Sequence, residues 1–383
     1  LEKSTGIHLE LTVLPSLRDV YEVIQSSGSG RYDLIRMDVA WMDELAKKLF
    51  RPLHQIPFDW DGLLAQTLPE FGDSYTSVNG ERICVPYDPS TQLMFYRRDF
   101  FCDPTYKRMY FEAYRRELEV PKSFEDYNRI AGFFTRSLNP ASPVQYGTTV
   151  AIGNVVVSPS EFLPRLFEQG GKLFNAKGQI TVDTPEALAA LKNYRETYAC
   201  SDRTVHDIWK NVLEGFADGS AAMTVVFINY ASHILNSKMS SIAGKLGFAP
   251  VPGGRPLSGG GVVGITRSCA HPETACAFLS WLYSNQTAPA FTLLGGLSPC
   301  RSAYSNRDIK ERYPWLSAAR RSFPSAQRRS GSTYYSNFSE LQMENILAAY
   351  VQRAVLGVCT PEEALAQAQA EMDAHFTVNS EFL

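Results

Sequence analysis

Along the first 150 residues, apolar positions switch between helical spacing and short continuous runs. Residues 18–27 (RDVYEVIQSS) read as a short helix that Gly28 and Gly30 end, 32–37 (YDLIRM) as a strand, and 39–50 (VAWMDELAKKLF) as a second helix. Strands alternating with helices imply an α/β layer with a mostly parallel sheet. The opening residues, LEKSTGIHLELTVLP, read as the end of a helix, a Gly6 stop and a strand. They carry no signal-peptide pattern, and so abrupt a start leads us to expect an element upstream. In 79–101, the turn pair Asn79-Gly80 precedes an apolar run through Ile83, Cys84 and Val85, which Pro86-Tyr87-Asp88-Pro89 interrupts before Leu93–Tyr96. That pattern predicts two strands with an aromatic and a carboxylate at the break between them.

Residues 120–235 are richer in helix. In 184–199, Thr184 is placed to cap, Pro185 stands at the first helical position, and Leu188, Leu191, Tyr194 and Tyr198 form an apolar face. Before it, 171–183 looks like a small hairpin turning at Lys177-Gly178; after it, 212–227 reads as a helix stopped near Asp218-Gly219 and then a strand. Residues 246–264 are too dense in Gly and Pro to continue a helix and suit a crossing between lobes. Further helices are expected at 271–285, with Ala275, Phe278, Leu279 and Leu282 on one face, at 338–356, and at 361–375 behind a capping box of Thr360 and Glu363. Breaks near 86–92, 252–262 and 297–306 cut the chain into four pieces. We therefore expect one lobe from 1–90 plus 258–300, a second from 91–257 plus 301–383, and a three-strand hinge.

Composition narrows the function. At 383 residues, 44% hydrophobic and 20% charged, the chain is long enough for two globular domains. A net charge of -3 argues against nucleic acid as partner. The nearest approach to a basic patch, Arg320, Arg321, Arg328 and Arg329, reads as a solvated loop. No run of apolar residues is long enough to span a membrane. The seven cysteines (Cys84, Cys102, Cys200, Cys269, Cys276, Cys300, Cys359) show no C-x-x-C pairing, fit neither a zinc site nor a disulfide framework, and lean towards a reducing compartment. The six histidines (His8, His54, His206, His233, His271, His375) are scattered, so no metal or cofactor is expected. Gly259, Gly261 and Gly264 satisfy G-x-G-x-x-G, but a Pro-rich loop precedes them and β character follows, which reads as backbone that bends or admits a ligand closely. No G-x-S-x-G elbow or cysteine nucleophile pattern appears. Aromatics reach 12%, and several stand beside carboxylates or amides at loop edges: Asp38 with Trp41, Tyr87 with Asp88, Asn229 with Tyr230, and Tyr334-Tyr335 with Asn337. Aromatic faces stack on the C–H face of a pyranose while Asp and Asn take its hydroxyls, so their recurrence suits an uncharged polyol; each one alone is equally well explained by core packing.

The order of several blocks carries a resemblance: TGIHLELTVLP, YDLIRMDVAWMDELAKKLFRPLHQI, VNGERICVPYDPSTQLMFYRRDFF, LPRLFEQGGKLFNAKGQITVDTPEALAALKNY, FADGSAAMTVV, FAPVPGGRPLSGGGVVGITRS and ETACAFLSWLYSNQTAPAF. Together they resemble the family 1 extracellular solute-binding proteins, the sugar receptors of ABC importers of the maltose-binding-protein kind. The resemblance implies an α/β, two-lobe periplasmic-binding-protein-like fold of type II, a three-strand hinge and a ligand cleft between lobes. It also implies a monomeric, non-catalytic, extracytoplasmic receptor that closes over a mono- or oligosaccharide and docks on ABC permease subunits. Carried over by position, Tyr87 and Asp88 would face the cleft, Asp38 and Trp41 would match the first lobe's ligand loop, Asn229 and Tyr230 would fall where the family places a stacking aromatic, and Gly260 and Gly261 would bring backbone to the ligand; Tyr335 joins this set from the aromatic pattern. The family's first strand and most of its first helix have no counterpart here, so upstream residues are expected to supply them. The Arg and Cys content keeps open a cytosolic sugar-sensing domain of a transcription regulator. A carbohydrate-active enzyme using a carboxylate such as Asp88 is a third reading.

Overall fold

A computed structural model describes all residues except 15, 16, 29, 154–156, 204–208, 328–331 and 383, so Arg328, Arg329 and His206 lie outside the described residues. The chain divides into two compact units, Leu1–Ser90 with Ser258–Pro324, and Thr91–Leu257 with Ser325–Leu383. The third passage between units therefore falls at 324/325, where a passage near 300 was expected. The reason is packing. Phe323 meets Phe71 edge-on at 4.8 Å, Arg301 Nε donates to the Thr67 carbonyl at 2.7 Å, and Arg320 pairs with Glu70 at 2.7 Å, which ties 301–324 to the first unit.

Six strands carry the sheet: β1 (Leu34–Asp38), β2 (Val85–Arg97), β3 (Tyr146–Thr148), β4 (Ala221–Phe227), β5 (Leu246–Pro250) and β6 (Ser258–Ile265). The helices used below are α1 (Val157–Glu168), α2 (Pro185–Ala199), α3 (Pro272–Tyr283), α4 (Glu340–Val355) and α5 (Pro361–His375).

In the first unit, β1 pairs antiparallel with β6, from Leu34 opposite Ile265 to Asp38 opposite Gly261, and β6 lies between β1 and β2. The unit's core gathers Leu53, Ile56, Trp60, Val263, Ile265, Leu279 and Tyr283. β2 is one continuous strand through Pro86 and Pro89, where two strands with a break were expected. The prolines sit outside its ladders with β4 and β5, which begin at Gln92 and Leu93, so they remove no bond from those two pairings. Residues 2–5 form a helical turn that Gly6 closes at φ 73°, as the opening sequence suggests. The strand expected next does not form: 7–14 pair with nothing regular, and Leu9, Leu11 and Val13 are exposed. Alternation favours a strand only where a neighbour supplies the ladder. The helix expected over 39–50 is three short helical pieces of different pitch, Val39–Trp41, Met42–Ala46 and Lys47–Leu49.

In the second unit, β2 pairs antiparallel with β4 (Gln92 opposite Phe227 to Tyr96 opposite Met223) and with β5 (Leu93 opposite Pro250 to Arg97 opposite Leu246). β3 runs parallel to its neighbour β4. The pairings of β1 with β6 and of β2 with β4 and β5 are thus antiparallel, contrary to expectation, because the partners come from distant stretches of chain whose direction is set by tertiary packing and not by a βαβ crossover between consecutive strands. β4 is buried at every position, consistent with its run of apolar side chains. Around it Met94, Phe100, Phe101, Tyr127, Phe134, Met223 and Val225 form the core. Local signals act as read: Thr184 Oγ1 accepts from Ala187 N at the start of α2, and Thr360 and Glu363 exchange both bonds of a capping box at α5. The hairpin at 171–183 is a tight loop with a single bridge, Phe174 to Ile180, turning at Gly178 with φ 84°.

Candidate ligand-binding site

β1 alternates strictly: Ile35 and Met37 are buried, while Leu34, Arg36 and Asp38 take the other face. Arg36 and Asp38 therefore share one side of the sheet. Across β6, Asp88 on β2 accepts two bonds from Arg36, Nε to Oδ1 at 3.0 Å and Nη2 to Oδ2 at 2.9 Å. Both side chains remain about a quarter exposed, at 27% and 24%. Burial pushes the Asp88 carboxyl up, against the pull of the Arg36 guanidinium. Asp38 caps the turn behind it by accepting from Ala40 N at 3.0 Å, and it stands opposite Gly261 in the ladder.

The glycine tract makes this bridge possible. A Cβ on Gly261 would lie 2.2 Å from Arg36 Nε and 2.4 Å from Asp88 Oδ1. At Gly260, where φ is +86°, a Cβ would lie 2.1 Å from the Asp88 carbonyl oxygen. Tyr75, on the same unit, donates from its hydroxyl to the Gly259 carbonyl at 2.7 Å. The tract is thus strand backbone cut bare so that an ion pair can pass over it.

Tyr87 is half-buried, with its ring 6.1 Å from Phe291, and burial followed by the Asp88 charge pushes its phenol up. Trp41 is 6% exposed and meets Tyr21 edge-on at 5.3 Å. Its ring is committed to packing. Arg36 escaped the sequence reading, although its place two residues before Asp38 in a predicted strand was a usable signal.

In the second unit, β4 ends in a helical turn, Ile228–Tyr230, that repeats the turn after β1. The residues entering the two turns, Asp38 and Phe227, have φ/ψ of -67°/142° and -66°/142°. The residues closing them, Trp41 and Tyr230, have -97°/-3° and -94°/-5°. Closely similar end geometry thus carries Asp38 and Trp41 in one unit and Phe227 and Tyr230 in the other. Asn229 is exposed and Tyr230 half-buried. Tyr335 lies elsewhere in this unit's packing: its hydroxyl accepts from Ile180 N at 2.9 Å, its ring meets Phe376 at 5.6 Å, and its backbone bridges to Val378. It fastens the 174–180 loop to the C-terminal segment.

The chain segments entering the second unit are held by Gln92, whose Nε2 donates to the Ser160 carbonyl at 2.8 Å while its Oε1 accepts from Leu257 N at 3.1 Å. Behind them lies a buried polar network on α1. Arg165 donates to Glu161 Oε2 at 2.8 Å, Asn193 Oδ1 at 3.1 Å and Thr197 Oγ1 at 3.1 Å, and its guanidinium covers the Phe124 ring at 4.1 Å. Glu161 Oε1 accepts from Ala151 N at 3.1 Å, and the Tyr194 hydroxyl donates to the Ala151 carbonyl, so the network fixes the segment that follows β3.

No helix among the described residues is long and apolar enough to cross a membrane. Comparison with known proteins adds the family. Residues 1–289 match the family described as "Bacterial extracellular solute-binding protein". A putative ABC transporter periplasmic-binding protein of Escherichia coli K12, YcjN, is 27% identical over 176 residues, which is 46% of this chain and only 34% of that relative's length. A probable amino-acid ABC transporter periplasmic-binding protein of Sinorhizobium fredii, y4oP, is 20% identical over 97% of this chain and 83% of its own length. Among solved structures, a ribitol complex of an ABC transporter solute-binding protein from Agrobacterium radiobacter K84 superimposes with a TM-score of 0.79 at 20% identity, covering 97% of this chain and 92% of that one. Maltose-bound MalE3 of T. maritima gives 0.76 at 23% identity, covering 93% and 88%. These likenesses establish an α/β fold of the periplasmic solute-binding type, and the family match over three quarters of the chain shows that it belongs to the bacterial extracellular solute-binding proteins.

Proposed function

We propose that this protein is the extracytoplasmic receptor of an ABC importer and that its ligand is a neutral polyhydroxylated solute, a mono- or oligosaccharide or a sugar alcohol. The observation that carries the ligand class is the pairing within the first unit's polar cluster. Arg36 is engaged by both oxygens of Asp88, and Asp38 stands on the same side of the sheet, so the cluster leaves no guanidinium unpaired. It offers carboxylate oxygens and guanidinium N–H groups to hydroxyls, and no surplus cation to an amino acid's carboxylate. Asp38, Tyr87, Asp88 and the backbone at Gly260 and Gly261 form the first unit's share of this proposed site, and Asn229 and Tyr230 the second's. Maltose and ribitol in the complexes named above support the same class. Ligand held by both units favours the state in which both touch it, and that state is the one a permease would recognise.

The test is a thermal-shift panel of sugars, sugar alcohols and amino acids, followed by calorimetry on each hit. A ligand at about a hundredfold excess over Kd stabilises the native state by about 2.7 kcal/mol, which such a panel detects. A shift with a sugar or sugar alcohol that Asp38→Asn weakens is the expected result. A shift with amino acids alone would overturn the ligand class.

A further inference from the structure

The segment 301–324, packed on the first unit, lines a partly open pocket of about 440 Å³ whose lining includes four cations, Arg301, Lys310, Arg320 and Arg321. No carboxylate is among the residues that line it. In a chain whose net charge is -3, such a concentration is local and one-sided. Two of the cations are held in place: Arg301 by the Thr67 carbonyl and Arg320 by Glu70. Lys310 and Arg321 are exposed and have no ion-pair partner among the described residues.

Tyr304 forms part of the pocket wall. This ring lines the pocket, is nine-tenths buried and packs edge-on against Phe323 at 6.0 Å, yet its hydroxyl finds no hydrogen-bond partner among the described residues. The hydroxyl oxygen is itself closed off from solvent, so Tyr304 gives the pocket a rigid wall and no donor. Ser317 lines the same space. Arg320 and Arg321 therefore do not belong to a solvated loop, as the sequence suggested. They stand on the helix Trp315–Ser322, whose apolar residues Trp315, Leu316, Ala318 and Ala319 are buried.

We propose that this pocket is a second ligand site, specific for a small multivalent oxyanion with phosphate as the recognised group, and that it works independently of the solute site. Guanidinium groups match the geometry of phosphate oxygens, an ammonium adds a point charge, and a volume of this size accommodates a small organic or inorganic phosphate. Glu70 lies outside the lining and serves to orient Arg320.

Calorimetry of the full chain with inorganic phosphate and with pyrophosphate, at fixed ionic strength balanced with chloride, tests the proposal. We expect one site per chain, tighter for pyrophosphate. The double variant Lys310→Ala/Arg321→Ala should weaken binding about tenfold or more, and both side chains are exposed, so the fold survives their loss. Tyr304→Phe should leave it unchanged, because that hydroxyl is closed off from the pocket. Asp38→Asn, in the solute site, should leave it unchanged, which separates this site from the proposed sugar site. No binding at millimolar pyrophosphate, binding that the double variant retains in full, or an equal response to chloride would each overturn the proposal.

Discussion

Gly261→Ala gives a direct test of why the glycine tract is bare. The added methyl carbon would sit 2.2 Å from Arg36 Nε and 2.4 Å from Asp88 Oδ1, more than 1 Å inside the contact distance of about 3.5 Å at which such atoms rest. Backbone conformation is not the obstacle, because Gly261 lies outside the left-handed region. The side chains must therefore move, and bonds of 2.9 and 3.0 Å cannot absorb such a shift. Losing one charge-assisted bond of a bidentate pair that is three-quarters buried should cost about 2 kcal/mol. For a domain of this size that corresponds to about 4–8 °C in Tm. Urea unfolding of four proteins checks the cause: wild type, Gly261→Ala, Arg36→Ala/Asp88→Ala, and the triple variant. With nothing left to displace, Gly261→Ala in the double-variant background should be neutral or stabilising by up to about 1 kcal/mol, because alanine restricts the unfolded chain. An equal loss in both backgrounds would show that the glycine is needed for some reason other than the ion pair.

Two further outcomes follow from the buried groups. Arg165→Met should destabilise the second unit by about 3–5 kcal/mol in urea unfolding, because Glu161 would remain buried with its main partner gone; a loss under about 1 kcal/mol would refute that account. Burial pushes the Cys276 and Cys300 thiols up to about 11. Since the thiolate is the nucleophile, the reactive fraction at pH 8 is about one in a thousand and rises only as the pH approaches that value. Iodoacetamide at pH 8 should label the exposed Cys102 and spare Cys276 and Cys300 in the folded protein, as read by mass spectrometry; their prompt labelling would contradict the burial.

The proposed site was partly legible. Asp38, Asp88 and the glycines at 260 and 261 stood out because carboxylates beside aromatics and three adjacent glycines are visible in any short window. Arg36 was missed, because its partner lies 52 residues away on a strand that is not its neighbour. Trp41 and Tyr335 were read as ligand-facing, yet each ring is packed inside its own unit. An aromatic at the edge of a loop looks the same in sequence whichever way the turn directs it.

By itself the sequence determined the helix starts that carry their own capping residues. Thr184, Pro185, Thr360 and Glu363 act on backbone groups within one turn of themselves, so their effect survives any tertiary arrangement. It also marked β4 as a buried strand, since every residue of it except Thr224 is apolar. Only the tertiary structure decided strand direction, the fate of 7–14, the unit that 301–324 joins and the partner of Arg36. Each of these depends on a surface contributed by residues far along the chain, and the free energy of such contacts is absent from any local window. A strand pattern needs a neighbour to become a strand, and a charge needs its counter-ion in place before it marks a site.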